Sequence, residues 1–194
     1  MAFPNLLIGK RFATIPNDSG SRFSYLFLIR PYATIMPMEP TIQSMPARTV
    51  VGFGSKFISI LSPKANNFEV IPKLWHDYGQ RQIEIADRKG QEALGCVWCR
   101  EGEHELYYLA GAEVTSVANV PAGMEVREIS AGKYAVFIHK GSLETLGKTM
   151  SFIHGTWFAA SGHQWRNGPE IEVYGPKFDL NSETSELEIC VPIK

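Results

Sequence analysis

The chain is short of surplus charge. Nineteen Lys and Arg stand against twenty Asp and Glu, a formal net charge of −1, and the basic residues nowhere form a run. Proteins that bind duplexes directly present a basic face to phosphate, so direct nucleic-acid contact is not expected. Cysteine is scarce as well. Cys96, Cys99 and Cys190 are too few for a disulfide framework. The Cys96-x-x-Cys99 spacing suits a metal or a redox pair, but it falls in a strand-like segment, Leu94-Gly-Cys-Val-Trp-Cys99. No second such pair and no histidine pair is near enough to complete four ligands. The three thiols are therefore read as structural, with no metal and no cofactor, and they fit a reducing cytoplasm.

Long apolar runs are also missing. Phe23-Ser-Tyr-Leu-Phe-Leu-Ile29 is much shorter than the roughly 20 residues that span a bilayer. Arg22 and Arg30 flank it, and no small-residue cleavage site follows, so neither a membrane span nor a signal peptide is expected. Residues 1–38 read as an N-terminal extension, partly disordered or laid on the domain surface, with Met36 or Met38 as a candidate start of the domain. Catalytic signatures are absent: there is no Gly-x-Ser-x-Gly elbow, phosphate loop or dinucleotide fingerprint. His154 and His163 lack the spacing of metal ligands. His139, next to Lys140-Gly141, reads as a surface or turn residue.

What the chain does have is an internal repeat. Ile42-Gln-Ser-Met45-Pro-Ala47-Arg48-Thr-Val50-Val51-Gly-Phe53 aligns with Val126-Arg-Glu-Ile129-Ser-Ala131-Gly132-Lys-Tyr134-Ala135-Val-Phe137 at one constant offset of 84, as from Ile42 to Val126. Each copy reads as a strand, a tight turn and a second strand. A helix follows each: Ile71, Leu74, Trp75 and Tyr78 fall at helical spacing in the first, and Leu143, Leu146, Met150, Ile153 and Trp157 in the second. Pro72 is placed in the first turn of its helix and Ser142 at the N-cap of the other. Strands at Ala93–Cys99 and Leu106–Val114 complete the first unit, and strands at Glu170–Tyr174 and Leu187–Pro192 the second. The expected fold is α+β: two ββαββ units, about 39–118 and 119–194, with antiparallel sheets and a central cleft between them. Trp75 and Trp157 occupy corresponding places and read as core in preference to ligand-facing residues.

One strand carries a chemical suggestion. In Pro169-Glu-Ile-Glu172-Val-Tyr174, alternation puts Glu172 and Tyr174 on one face. Facing a pocket, the pair offers an acid beside an aromatic ring, which suits a flat, partly apolar cation. On an exposed edge strand, the same glutamate is simply solvated.

Taken in order, Ile71-Pro-Lys-Leu74-Trp75, Tyr108-Leu-Ala-Gly111-Ala-Glu113-Val114, Pro121-Ala-Gly123-Met124, Gly132-Lys-Tyr134-Ala135-Val-Phe137-Ile-His139-Lys-Gly141, Trp157 and Glu172-Val-Tyr174 resemble the GyrI-like small-molecule-binding family over residues 39–194. That family includes the effector-binding domains of AraC-type regulators such as Rob, and of the multidrug regulator BmrR. The resemblance implies a duplicated α+β fold with pseudo-two-fold symmetry and a central ligand cleft, and a buried glutamate ringed by aromatics that holds hydrophobic or cationic small molecules. Glu172 stands where that acid falls. Tyr174, Tyr108, Trp98, Phe137 and Trp157 are candidate cage members. Glu113 is either a second acid or a rim charge paired with a lysine or arginine. Only one of Tyr107 and Tyr108 faces the cleft, and the family pattern favours Tyr108. Other members inhibit gyrase, or hydrolyse cyclopropane-type toxins. For hydrolysis here, Glu172 would act as base with Tyr108 orienting the substrate. The regulators carry a DNA-reading region that residues 1–38 are too short to supply. The expectation is therefore a stand-alone ligand binder in the cytoplasm, with gyrase or a DNA-binding regulator as its possible protein partner.

Overall fold

The computed structural model describes residues 38–59, 62–99 and 105–194. The proposed extension, but for Met38, lies outside the described residues. Eight strands are present: β1 (Thr41–Met45), β2 (Arg48–Phe57), β3 (Ala93–Cys99), β4 (Leu106–Glu113), β5 (Glu125–Ile129), β6 (Gly132–Lys140), β7 (Glu170–Tyr174) and β8 (Glu186–Ile193). They form a single sheet in the order β1-β6-β8-β7-β3-β4-β2-β5, and every pairing is antiparallel. The fold is α+β, as expected, but with one sheet where the sequence suggested separate ones.

The order reads alike from either edge once β1 is exchanged with β5, β2 with β6, β3 with β7 and β4 with β8. The symmetry axis therefore passes between β7 and β3. The tight turns within each copy do not close hairpins. Met45 pairs with Gly132, and Arg48, just past Pro46-Ala47, pairs with Ile129. The β1–β6 ladder thus runs on in the same register into β2–β5, so each copy lends its first strand to the other. Two residues separate β1 from β2 in sequence, while the sheet order puts β1 at one edge and β2 beside the other. The sheet must therefore curl back on itself.

Its two faces differ. One gathers Val50, Leu94, Cys96, Trp98, Leu109, Tyr134, Ile171 and Cys190 from both halves into a shared core. The other carries the helices. The first helix, α1 (Asn67–Arg81), lays Leu74 and Tyr78 on Val51, Phe57, Tyr108, Ala110 and Ala112. The second helical run packs Leu146, Met150, Ile153 and Trp157 on Phe137, Leu187 and Ile189. Tyr107 through Ala112 of β4 are all buried, because both faces of that strand are covered.

Pro72 and the second helix depart from expectation, and the Ser142 cap holds in position alone. Pro72 lies inside α1 and not in its first turn, because the helix starts at Asn67; the helix gives up the bond from residue 72 to the Phe68 carbonyl. Ser142 is the N-cap residue, as expected, and extended as an N-cap is, but its hydroxyl makes no capping bond. Instead, its carbonyl accepts from the Thr145 amide and hydroxyl. The second helix is not uniform: a 3-10 turn (Leu143–Thr145) leads into α2 (Leu146–Phe152), a π-helical turn (Ile153–Trp157) and α3 (Phe158–Ser161).

Candidate ligand site

The register of the central strands sets the site. Glu172 on β7 pairs with Gly95 on β3, and Gly95 pairs with Ala110 on β4, so three neighbouring positions on the helix-bearing face hold an acid, a hydrogen and a methyl. Tyr108 lies two residues from Ala110 on the same face and leans across the gap that Gly95 leaves. A Cβ at Gly95 would press into the Tyr108 hydroxyl and stand 2.7 Å from Glu172 Oε2. Glycine within a strand marks such a close approach.

Glu172 is buried, 7% exposed, and lies on a central strand; the solvated edge-strand alternative does not hold. Its Oε2 accepts from the Tyr108 hydroxyl at 2.6 Å and from the Tyr174 hydroxyl at 2.8 Å. The Trp75 indole N–H, from α1, donates to the Tyr108 oxygen at 3.1 Å. Burial pushes the Glu172 carboxyl above its usual range; the two tyrosine hydrogen bonds pull it back, and Glu170 pushes it up again. Burial and then the Glu172 charge hold both tyrosines well above 10.0, so they keep their protons and donate.

Aromatic rings surround this acid. Trp75 and Tyr174 meet at 4.5 Å between centroids, Tyr174 and Phe178 at 4.7 Å, and Tyr108 and Phe57 at 6.1 Å, all edge to face. Trp75 and Tyr174 are half-buried and Tyr108 wholly buried, so the first two rings form the outer layer. A groove of about 470 Å³ between α1 and β2 lies elsewhere: Glu69, Lys73 and Ser55 line it, and neither Glu172 nor its tyrosines do.

Of the residues singled out from sequence, Glu172, Tyr108 and Tyr174 come together. Tyr107 points to the opposite face, where it donates to Glu125 Oε1 at 2.5 Å. Trp98 does not join the acid: it sits on that opposite face against Tyr107 at 4.8 Å, with the Arg127 guanidinium 4.2 Å over its ring. Glu113 is the paired charge of the two alternatives, 2.8 Å from Lys89 and 3.7 Å from Arg48. Phe137 and Trp157 pack on each other at 5.1 Å on the helix-bearing face. Phe137 is two strands from Glu172, through Ile189. His139 is not a surface residue; it is 2% exposed, bonded to Thr149 at 2.8 Å and to the Ser142 carbonyl at 3.1 Å. Sequence reasoning preferred a core role for Trp75, set His154 aside as a metal ligand, and passed over Gly95, Phe178 and Glu170. Gly95 announces itself as a glycine within a strand, and Glu170 shares the parity of Glu172. His154 and Phe178 carry no such signal.

Among the described residues, no group of three or more His, Cys, Asp or Glu is placed to hold a metal ion, and no helix is long and apolar enough to cross a membrane.

The fold is thus one antiparallel sheet with both helical segments on one face and a buried acid on a central strand. The family model described as GyrI-like small molecule binding domain matches residues 38–194, and the chain belongs to that family. It is similar to the transcriptional regulator BrlR of Pseudomonas aeruginosa, with 31% identity over 166 residues, 82% of this chain and 57% of BrlR. The chain thus spans a little over half the length of that relative. Among solved structures it superposes on SAV2435 bound to tetraphenylphosphonium (TM-score 0.66, 20% identity, 81% of this chain and 94% of that one). It also superposes on the C-terminal domain of EcmrR (TM-score 0.58, 16% identity, 80% and 97%). These two share the fold.

Proposed function

We propose that the chain captures lipophilic cations between its two helical segments, with Glu172 as the charge partner, as the sensing part of a transcription-effector or drug-resistance system. The observation that carries this reading is the buried Glu172 carboxylate, whose Oε2 is held by two tyrosine hydroxyls beneath the Trp75 ring. A carboxylate removed from water lacks a counter-charge, and a bound cation supplies one. Tyrosine and indole faces add cation–π attraction of roughly 0.5–2 kcal/mol each. Flat apolar walls around a single charge make few demands on ligand shape. SAV2435 lends support, since that structure is bound to a lipophilic cation. Trp75 and Tyr174, as the half-buried layer, are the rings that move aside on entry.

The test is calorimetric titration of tetraphenylphosphonium into wild type and Glu172→Gln. A loss of affinity of about tenfold or more is expected, the scale of a desolvated charge pairing. Equal affinity for both proteins would overturn the charge pairing.

A further inference from the structure

The strand that carries Glu172 buries a second acid on the same face. Glu170 is 6% exposed and lies two positions away, on the order of 6.6 Å along an extended strand. Its partner comes from the second helical run: His154 Nε2 stands 3.1 Å from Glu170 Oε1. His154 belongs to the π-helical turn Ile153–Trp157. Such a turn carries one residue more than an α-turn and re-aims the side chains on it. The imidazole stacks on Phe158 at 6.1 Å and lies 6.1 Å from Trp165. On the neighbouring strand β3, the residue facing Glu170 is Val97, which offers no charge.

The two members of the pair differ in access to water. The side chain of His154 is 31% exposed, that of Glu170 8%. The imidazole has a route to solvent, whereas the carboxylate needs some cation beside it wherever it is charged. Glu172 accepts from two hydroxyls and forms no ion pair among the described residues. The strand thus presents two acids, one awaiting a positive charge and one holding an exchangeable one.

We propose that Glu170 is a second charge position of the same ligand site, occupied by His154 until a ligand displaces it, and that the site therefore takes flat dications with charges one i, i+2 strand spacing apart, of the bipyridinium kind, as well as monocations. This rests on the reading of Glu172 as a cation partner. A monocation engages Glu172 and leaves the Glu170–His154 pair closed. A dication engages both acids, and His154 turns out to solvent.

The experiment titrates 1,1′-dimethyl-4,4′-bipyridinium and tetraphenylphosphonium, separately, into the full chain, Glu170→Gln, His154→Gln and Glu172→Gln, with thermal melts of each. Glu170→Gln is expected to weaken the bipyridinium by about tenfold, as removal of one of two charge partners should, and to leave tetraphenylphosphonium within about threefold. His154→Gln removes the competitor, so it strengthens the bipyridinium and leaves the monocation unchanged; it decides the matter should Glu170→Gln fail to fold. Tetraphenylphosphonium binding that depends on Glu172, with bipyridinium binding absent or indifferent to both the Glu170 and His154 substitutions, would overturn the second charge position alone. Failure of both probes to bind wild type would overturn the Glu172 reading and this inference with it.

Discussion

The Tyr108 hydroxyl donates to Glu172 Oε2 across 2.6 Å, from a residue 64 positions away in the chain. The contact exists because Gly95, on the strand between them, has no side chain to fill the space. It joins the two halves of the repeat at their symmetry axis, since Tyr108 belongs to the first half and Glu172 to the second. A hydroxyl that keeps its proton well above neutral pH is a fixed donor. It therefore favours the charged form of the acid that burial disfavours.

Tyr108→Phe removes that donor and keeps the ring. The Glu172 carboxyl then rises further above its usual range and holds its proton to higher pH. Since cation binding needs the carboxylate, tetraphenylphosphonium affinity at neutral pH should fall by about tenfold, in keeping with roughly 1.5–3 kcal/mol for a hydrogen bond to a charged group. Its onset should move to higher pH. Titrations across pH 5.5–8.5 read both effects, and an unmoved onset would show that Tyr108 does not tune the acid.

Glu172→Gln carries a stability signature separate from binding. The folded carboxyl titrates above 4.5, chiefly because it is buried, so the folded chain binds a proton that the unfolded chain has released. Stability is greatest below the unfolded pKa, declines as pH rises, and levels off above the folded pKa. The glutamine variant lacks this decline. Its melting temperature at pH 8 should be no lower than wild type, and any advantage it has there should shrink toward pH 4.5. Scanning calorimetry at pH 4.5 and pH 8 measures the difference. A loss of stability greater at pH 8 than at pH 4.5 would mean that the carboxylate is stabilising in the unliganded fold.

Two glycines with opposite surroundings make a paired test. Gly95→Ala drives a methyl against the Tyr108 hydroxyl and Glu172. Overpacking of this kind costs about 1–3 kcal/mol, and with both the hydroxyl and the carboxylate displaced, cation binding should weaken by at least as much as in Tyr108→Phe. Gly79 lies within α1 with nothing within 4 Å of a Cβ built there. Gly79→Ala should stabilise by about 0.5–1 kcal/mol through helix propensity and leave binding untouched. Denaturant melts and cation titrations on the two variants should diverge in both readouts.

The sequence disclosed these relationships unevenly, for physical reasons. Alternation along a strand fixes which residues share a face, so Glu172 and Tyr174 were legible as a pair, and the bounds of β3 and β7 emerged as Ala93–Cys99 and Glu170–Tyr174. Alternation does not say which face meets the helices. That depends on register between strands, and Trp98 was misplaced for this reason: Gly95 and Val97, not Cys96 and Trp98, share the face of Glu172. The repeat predicted the order of elements, and the family resemblance the symmetry. It could not reveal that each copy's first strand crosses to the other half, since the pairing of Met45 with Gly132 leaves no trace in local pattern. Trp75 was ambiguous because helical spacing puts core and groove residues on adjoining stripes of one helix. The π-helical turn that aims His154 at Glu170 is invisible to a 3.6-residue period.

That last pair sets its own pH dependence. Burial lowers the His154 pKa, but the hydrogen bond and the charge of Glu170 together outweigh it, so the net shift is upward from 6.5. A histidine whose folded pKa is raised contributes stability that is fully present below its unfolded pKa and lost as pH climbs through the folded one. The stability gap between wild type and His154→Gln should therefore be widest near pH 6 and narrow toward pH 8.5. Its size should be about 1 kcal/mol or less, since the imidazole is partly in water. Glu172 adds a slope of the same sign, but it is common to both proteins and leaves the gap intact. Urea melts of the two proteins at matched pH values measure it. A gap that stays constant from pH 6 to 8.5 would show that His154 contributes packing against Phe158 and not charge against Glu170.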